Sequence, residues 1–159
     1  MTLQMRAGDI ATRVEAILAE LAGLEGPLLP ILHEVQATFG HIPSEALPMI
    51  AEALNISNAE IHGVVTFYHD FRQEPAGRHV LKLCRAEACQ SMGSDLTAKR
   101  LQALLGTQIG ETSPDGAVTI EAVYCLGLCS CAPAALLDGV PLGRLDDEKI
   151  IGILEKVRA

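Results

Sequence analysis

An α+β fold in two parts, four helices and then a small mixed sheet, is what this sequence predicts. Three observations predict it. Apolar residues recur at helical spacing from Ile10 to about residue 70, Glu74-Pro75-Ala76-Gly77 breaks that pattern, and short alternating runs beyond the break are interleaved with two further helical ones. The boundary is placed at the break, with an N-terminal helical bundle over residues 1–76 and a sheet-containing domain over 77–159.

The helical part divides into four elements. Ile10, Val14, Ile17, Leu18 and Leu21 share one helix face, which Asp9 is placed to cap and Gly23 to end. Pro27 and Pro30 lack N–H donors and fit only the first turn of the next helix, whose stripe is Leu29, Leu32, Val35 and Phe39 before Gly40 stops it. Ile42-Pro43 is a bend, and Ser44 is expected to cap a third helix reaching about Leu54. Ser57-Asn58-Ala59-Glu60 has the spacing of a capping box and opens the fourth. Helical spacing assigns Phe67, Tyr68 and Phe71 to the buried core rather than to a cofactor-stacking patch. His33, His41, His62 and His69 are scattered and lack the spacing to cysteine of a mixed His and Cys cluster, so they are read as surface or packing residues.

In the second part, His79 to Cys84 alternates as a strand and Ser94 to Leu105 reads as a helix with Leu101, Leu104 and Leu105 inward, ended by Gly106. Pro114-Asp115-Gly116 is a turn expected to join Ile109–Thr112 to Val118–Tyr124 as a hairpin. A second hairpin pairs Ala134–Leu137 with Val140–Arg144 around Asp138-Gly139, and Asp146 opens a last helix buried through Ile150, Ile151, Leu154 and Val157. One strand-to-helix crossover, then antiparallel strands and a closing helix, is the order of a thioredoxin-like sheet. The Cys-x-x-Cys of a thiol-exchange enzyme is absent, which makes disulfide exchange a poor account of the chain.

Composition narrows the function. Lys and Arg total 12 against 20 Asp and Glu, a net charge of −8 that argues against nucleic acid or an anionic membrane as partner. No run is apolar enough for a signal core or a bilayer span, so a cytoplasmic protein is expected. The chain is 49% hydrophobic yet has only Phe39, Phe67, Phe71, Tyr68 and Tyr124 as aromatics, so its core is aliphatic. An aliphatic excess in a chain this small fits a face covered by another subunit, and equally a Leu- and Ala-rich monomer.

Five cysteines in a reducing compartment are poor candidates for a disulfide framework and good ones for metal. Cys84 and Cys89 form a C-x4-C pair, Cys125 and Cys129 a C-x3-C pair, and together they can offer four thiolates to one two-iron, two-sulfur centre. A four-thiolate structural zinc site is the rival from a different class, an interaction module without redox chemistry. Gly93 and Gly127 suit close backbone approach to the sulfurs. Arg85 is the only cation inside either loop; beside the centre it would favour the reduced state, and pointed into solvent it would do little. Cys131 lies too close in sequence to Cys129 to share its iron easily and is assigned as a buried or near-cluster free thiol.

His62-Gly-Val-Val-Thr-Phe-Tyr68, Cys84-x4-Cys89 with Gly93, and Cys125-Leu-Gly-Leu-Cys129 followed by Ala132-Pro133 resemble the thioredoxin-like 2Fe-2S subunits typified by the 24 kDa subunit of respiratory complex I. The resemblance covers nearly the whole chain. It implies an N-terminal helical bundle, a thioredoxin-like 2Fe-2S ferredoxin domain, cluster ligands at Cys84, Cys89, Cys125 and Cys129, and a larger partner subunit that binds FMN and NAD(H). Within the family, the Cys-Arg-Ala-Glu-Ala-Cys and Cys-Ser-Cys-Ala-Pro details and the compact length are most similar to gamma subunits of NAD-dependent, molybdenum-containing formate dehydrogenases. The 24 kDa-type subunit of NADH:quinone oxidoreductase and hydrogenase diaphorase subunits are close alternatives. Cys131 departs from the motif, which does not require it.

Overall fold

A computed structural model describes residues 7–158 of the chain. It contains seven α-helices and a four-stranded sheet among the described residues, and divides into two compact units, Met1–Pro75 and Ala76–Ala159.

The first unit carries α1 (Ala7–Leu21), α2 (Leu28–Phe39), α3 (Ala46–Leu54) and α4 (Asn58–Phe67). Their apolar stripes meet in one aliphatic core in which Val14, Ile31, Leu32, Val35, Ile50, Ile61 and Val65 are fully or almost fully buried. α2 begins after Pro27 and ends at Gly40, whose φ of 77° lets its N–H reach the Gln36 carbonyl. α1 starts before Asp9, which lies within its first turn instead of capping it. Ser44 does not cap α3 either: its hydroxyl donates to the Glu45 carboxylate at 3.1 Å and the helix begins at Ala46. The Ser57–Glu60 capping box is complete, with Glu60 N–H donating to Ser57 Oγ at 3.2 Å and Ser57 N–H to Glu60 Oε2 at 2.7 Å. Of the three aromatic residues expected in the core only Phe71 is there; Phe67 and Tyr68 are 73% and 43% exposed, because α4 ends at Phe67 and the extended backbone at Tyr68 breaks the helical spacing.

The second unit is built on β1 (His79–Cys84), β2 (Val118–Val123), β3 (Ala134–Leu137) and β4 (Val140–Gly143) in the order β2-β1-β3-β4. β1 and β2 run parallel, and the others are antiparallel. The parallel pair is joined through α5 (Glu87–Ser91) and α6 (Ser94–Leu105), and α7 (Asp147–Arg158) closes the chain. Leu81 and Leu83 of β1, Val118 of β2 and Ala135 and Leu137 of β3 share one core with Ala98 and Leu101 of α6 and Ile150, Ile153, Leu154 and Val157 of α7. The alternate residue Lys82 lies across from Glu121 at 3.8 Å, away from that core. This is the mixed sheet and helix order expected of a thioredoxin-like domain.

Three local expectations change. The segment before Val118 makes no regular strand but still turns back on β2, through a bridge between Thr112 and Thr119 and through Ser113 N–H to the Val118 carbonyl at 2.8 Å and Ile120 N–H to the Glu111 carbonyl at 3.1 Å, with the Ser113 and Asp115 side chains tied into the turn. Ile151 is 50% exposed and Ile153 takes its place in α7, since 150, 153, 154 and 157 are the positions that fall on one stripe. Leu104 of α6 is likewise 40% exposed, its two neighbours in the stripe having taken the inward positions.

Candidate metal centre

Cys84 is the last residue of β1, and the parallel register sets it beside Val123, the last residue of β2 and two before Cys125. Both cysteine loops therefore leave from the carboxyl ends of adjacent parallel strands, where Arg85 N–H donates to the Val123 carbonyl at 2.7 Å. From there the first loop enters α5, which carries Cys89 on its inner side, and the second turns back through Gly127 into a 3-10 turn at Cys129–Cys131. α5 was not legible in the sequence, five residues being too few to show a period.

The sulfurs stand in two pairs. Cys84 and Cys89 are 3% and 2% exposed and near enough for each to bear on the other's ionisation; Cys125 and Cys129 are exposed, their Sγ atoms 4.0 Å apart. The pairs also feel one another, since Cys84 and Cys129 each bear on the other pair's ionisation. Among the described residues no three His, Cys, Asp or Glu side chains form a single-ion site; the arrangement is two plus two.

Backbone N–H groups point at these sulfurs. That of Gly127 donates to Cys125 Sγ at 3.4 Å, and those of Ala86, Cys125 and Leu126 around Cys84 and of Ala134 beside Cys89 lie where they favour the thiolates. Positive φ angles of 91° at Cys125 and 73° at Gly127 aim these donors inward. At Cys125, which has a Cβ, such a conformation costs on the order of 1–3 kcal/mol and persists only where the surroundings enforce it. Burial pushes the Cys84 thiol up, yet the donors from Ala86, Cys89, Cys125 and Leu126 outweigh it and hold the group below its ordinary value. Burial, then the contact with Cys84, raises Cys89, and the contact with Cys125 raises Cys129. Cysteines bind metal as thiolates, so loading metal here releases protons.

The chain matches the model of the thioredoxin-like [2Fe-2S] ferredoxin family over residues 14–158. This protein belongs to that family. An NADH-quinone oxidoreductase subunit from Rhizobium meliloti (strain 1021) is 35% identical over 146 residues, spanning 92% of this chain and 87% of the relative. The NADP-reducing hydrogenase subunit HndA of Solidesulfovibrio fructosivorans is 30% identical over 141 residues, spanning 89% and 82%. A crystal structure of an NAD+-reducing [NiFe]-hydrogenase in the air-oxidized state superposes with a TM-score of 0.71 at 29% identity, covering 82% of this chain and 22% of that one.

A family of 2Fe-2S ferredoxins implies one such cluster, and the residues present fit it: two thiol pairs with inward backbone donors make a cradle for an anionic centre. Arg85, the one cation of the loops, donates to Asp95 at 2.8 Å, so its charge is already partnered at the start of α6. Cys131 is half-buried with its Sγ 3.8 Å from Ser130 Oγ, outside both sulfur pairs. Of the histidines of the first unit, His33 packs on Phe71 with ring centroids 4.9 Å apart and His41 Nδ1 lies 3.1 Å from the Phe39 carbonyl, while His62 and His69 are exposed.

Proposed function

We propose that this chain is a one-electron carrier in which Cys84, Cys89, Cys125 and Cys129 hold a single 2Fe-2S cluster, with Cys131 left as a free thiol. The observation that carries the reading is the convergence of two sulfur pairs at the carboxyl ends of adjacent parallel strands under backbone N–H donors. When bound, such a cluster supplies a one-electron couple, a dianion becoming a trianion. The chain's own part is to hold the sulfurs, to offer N–H groups to the added charge and to keep one pair away from water. Substrate chemistry falls to other chains. The cluster exchanges electrons with FMN on a larger NAD(H)-binding partner subunit, in the cytoplasm, and a four-helix bundle over residues 1–76 precedes the cluster domain. Relatives named as subunits of NADH-quinone oxidoreductase and of NAD(P)-linked hydrogenases support a partnership of this kind.

For the parent complex we propose a NAD-dependent molybdenum formate dehydrogenase, on the Cys-Arg-Ala-Glu-Ala-Cys and Cys-Ser-Cys-Ala-Pro details and the compact length. The second reading is the 24 kDa-type subunit of an NADH:quinone oxidoreductase or a hydrogenase diaphorase subunit, favoured by the names of the relatives. Among the described residues no helix is long and apolar enough to cross a membrane.

The deciding experiment has two stages. An anaerobic visible and EPR spectrum before and after dithionite should show a red-brown protein that bleaches and gives a rhombic signal; a colourless protein containing zinc would replace this reading with a structural module. The tagged chain, purified with its partners, should then bring down a flavoprotein. Formate-dependent NAD+ reduction by that assembly selects the first parent, and quinone- or hydrogen-linked activity the second.

A further inference from the structure

The 3-10 turn carrying Cys129 is held from outside by the end of β4. Arg144 N–H donates to the Cys131 carbonyl at 2.6 Å, and Leu145 N–H to that of Pro133 at 3.0 Å. Gly143 lies directly against the turn. A Cβ added there would fall 2.7 Å from Cys131 Cβ, closer than Cβ atoms approach other atoms, and 3.1 Å from the Cys131 carbonyl oxygen, a tight contact. Its φ is not in the left-handed region, so the contact and not the backbone conformation demands glycine. β4 has little freedom to withdraw, because Lys149 Nζ of α7 donates to the carbonyls of Gly143 and Arg144 at 2.6 and 3.0 Å. Any displacement is therefore taken up by the turn. Cys131 N–H donates to the Leu128 carbonyl at 2.9 Å and Ala132 N–H to that of Cys129 at 3.3 Å, so moving Cys131 moves Cys129.

We propose that Gly143 is a positioning residue for the cluster: its missing side chain lets β4 seat the Cys129–Cys131 turn and so fixes where the Cys129 sulfur stands. The proposal rests on Cys129 being a ligand, the reading proposed for the four paired cysteines. It also gives Cys131 a role other than coordination, as the residue through which β4 bears on its neighbour.

The same domain supplies a control. Gly77 is squeezed in a similar way, a Cβ there falling 2.9 Å from Val118 N, but at the amino end of β2, a six-residue strand and so roughly 15–20 Å from the sulfurs. Gly143→Ala and Gly77→Ala in the full chain share a steric fault and differ in place. Three quantities are read: thermal midpoint, the g-values of the reduced protein and the rate of iron loss to a chelator. Gly143→Ala should shift the g-values and release iron about tenfold faster, the scale on which supporting residues act at metal sites. Gly77→Ala should lower the midpoint and leave the other two unchanged. Adding Cys131→Gly to Gly143→Ala removes the nearest contact and should return both readouts toward the parent. A Gly143→Ala protein with the parent's g-values and release rate overturns the proposal, as does a Gly77→Ala protein that changes both equally, or failure of Cys131→Gly to restore either.

If Gly143→Ala does not fold, Lys149→Met decides, since Lys149 is exposed and its loss only frees the end of β4. Faster iron release supports the proposal, and an unchanged rate overturns it. A parent protein without a 2Fe-2S signal would instead remove the cluster reading itself, and that is visible before any variant is made.

Discussion

At the scale of single residues, the four paired cysteines differ from the fifth in what surrounds them. Cys84 sits under donors from Ala86, Cys125 and Leu126, whereas Cys131 points toward Ser130 and packs on Gly143. Cys84→Ser and Cys125→Ser should each abolish or strongly deplete the visible absorption and the EPR signal, while Cys131→Ser should keep both nearly intact. Iron and acid-labile sulfide per chain measure the difference, and full occupancy in Cys84→Ser would refute the ligand set. A second expectation concerns charge. Arg85 is tied to Asp95, whose side chain is 57% exposed, and follows Cys84 directly in the chain. Asp95→Asn removes an exposed ion pair and should cost less than about 1 kcal/mol in denaturant unfolding. It also leaves the guanidinium uncompensated next to a site that gains negative charge on reduction, so the midpoint potential should rise. A potentiometric EPR titration showing a fall would mean that Arg85 does not act on the cluster.

At the scale of elements, the cap of α4 is the clearest case of a local signal deciding a local structure. Ser57→Ala removes the hydroxyl that accepts from Glu60 N–H and should destabilise the chain by about 1 kcal/mol at neutral pH. The backbone N–H of Ser57, and then its hydroxyl, hold the Glu60 carboxyl below its ordinary value. A depressed carboxylate contributes stability that is complete above its unfolded pKa, near about 4.3, and is lost as pH falls through the lower folded one. The gap between Ser57→Ala and the parent should accordingly narrow below about pH 4, by the hydroxyl's share alone; a gap constant down to about pH 2 would show that the Ser57 hydroxyl does not act on the carboxylate. Such signals were legible wherever a residue type and a backbone geometry coincide: Pro27 and Gly40 around α2, Gly106 after α6, Asp146 before α7, where its side chain accepts from Lys149 N–H at 3.0 Å. They failed where tertiary packing chose among equivalent apolar residues. Ile151 and Ile153 are alike in type and only the facing helix and sheet select the second. Phe67 and Tyr68 read as core only if the helix runs on past them, and it does not. At the site, the cysteine pairs could be read from spacing, but not that one pair is buried and the other exposed, nor that Gly143 bears on Cys131, since both depend on strands far apart in sequence.

At the scale of the whole molecule, the five cysteines all lie within one of the two units. Cys84, Cys89, Cys125 and Cys129, the backbone donors around them, and the core formed by β1–β3, α6 and α7 all fall within 76–159, while the core of α1 to α4 closes on itself within 1–75. Among the described residues, the buried apolar members of each core come from its own unit. A fragment of residues 76–159 should then fold by itself and take up the cluster, with the g-values of the full chain. Its stability should be modest, because a domain of this size buries a smaller share of its surface than a larger one. Full-length g-values with equal iron content would show that the helical unit has no part in holding the cluster, and would leave association with other subunits as the role to examine for it. A fragment that folds, by its far-ultraviolet spectrum, yet binds no iron would mean that residues 76–159 do not suffice to take up the cluster, and would overturn the assignment of cluster binding to that unit alone.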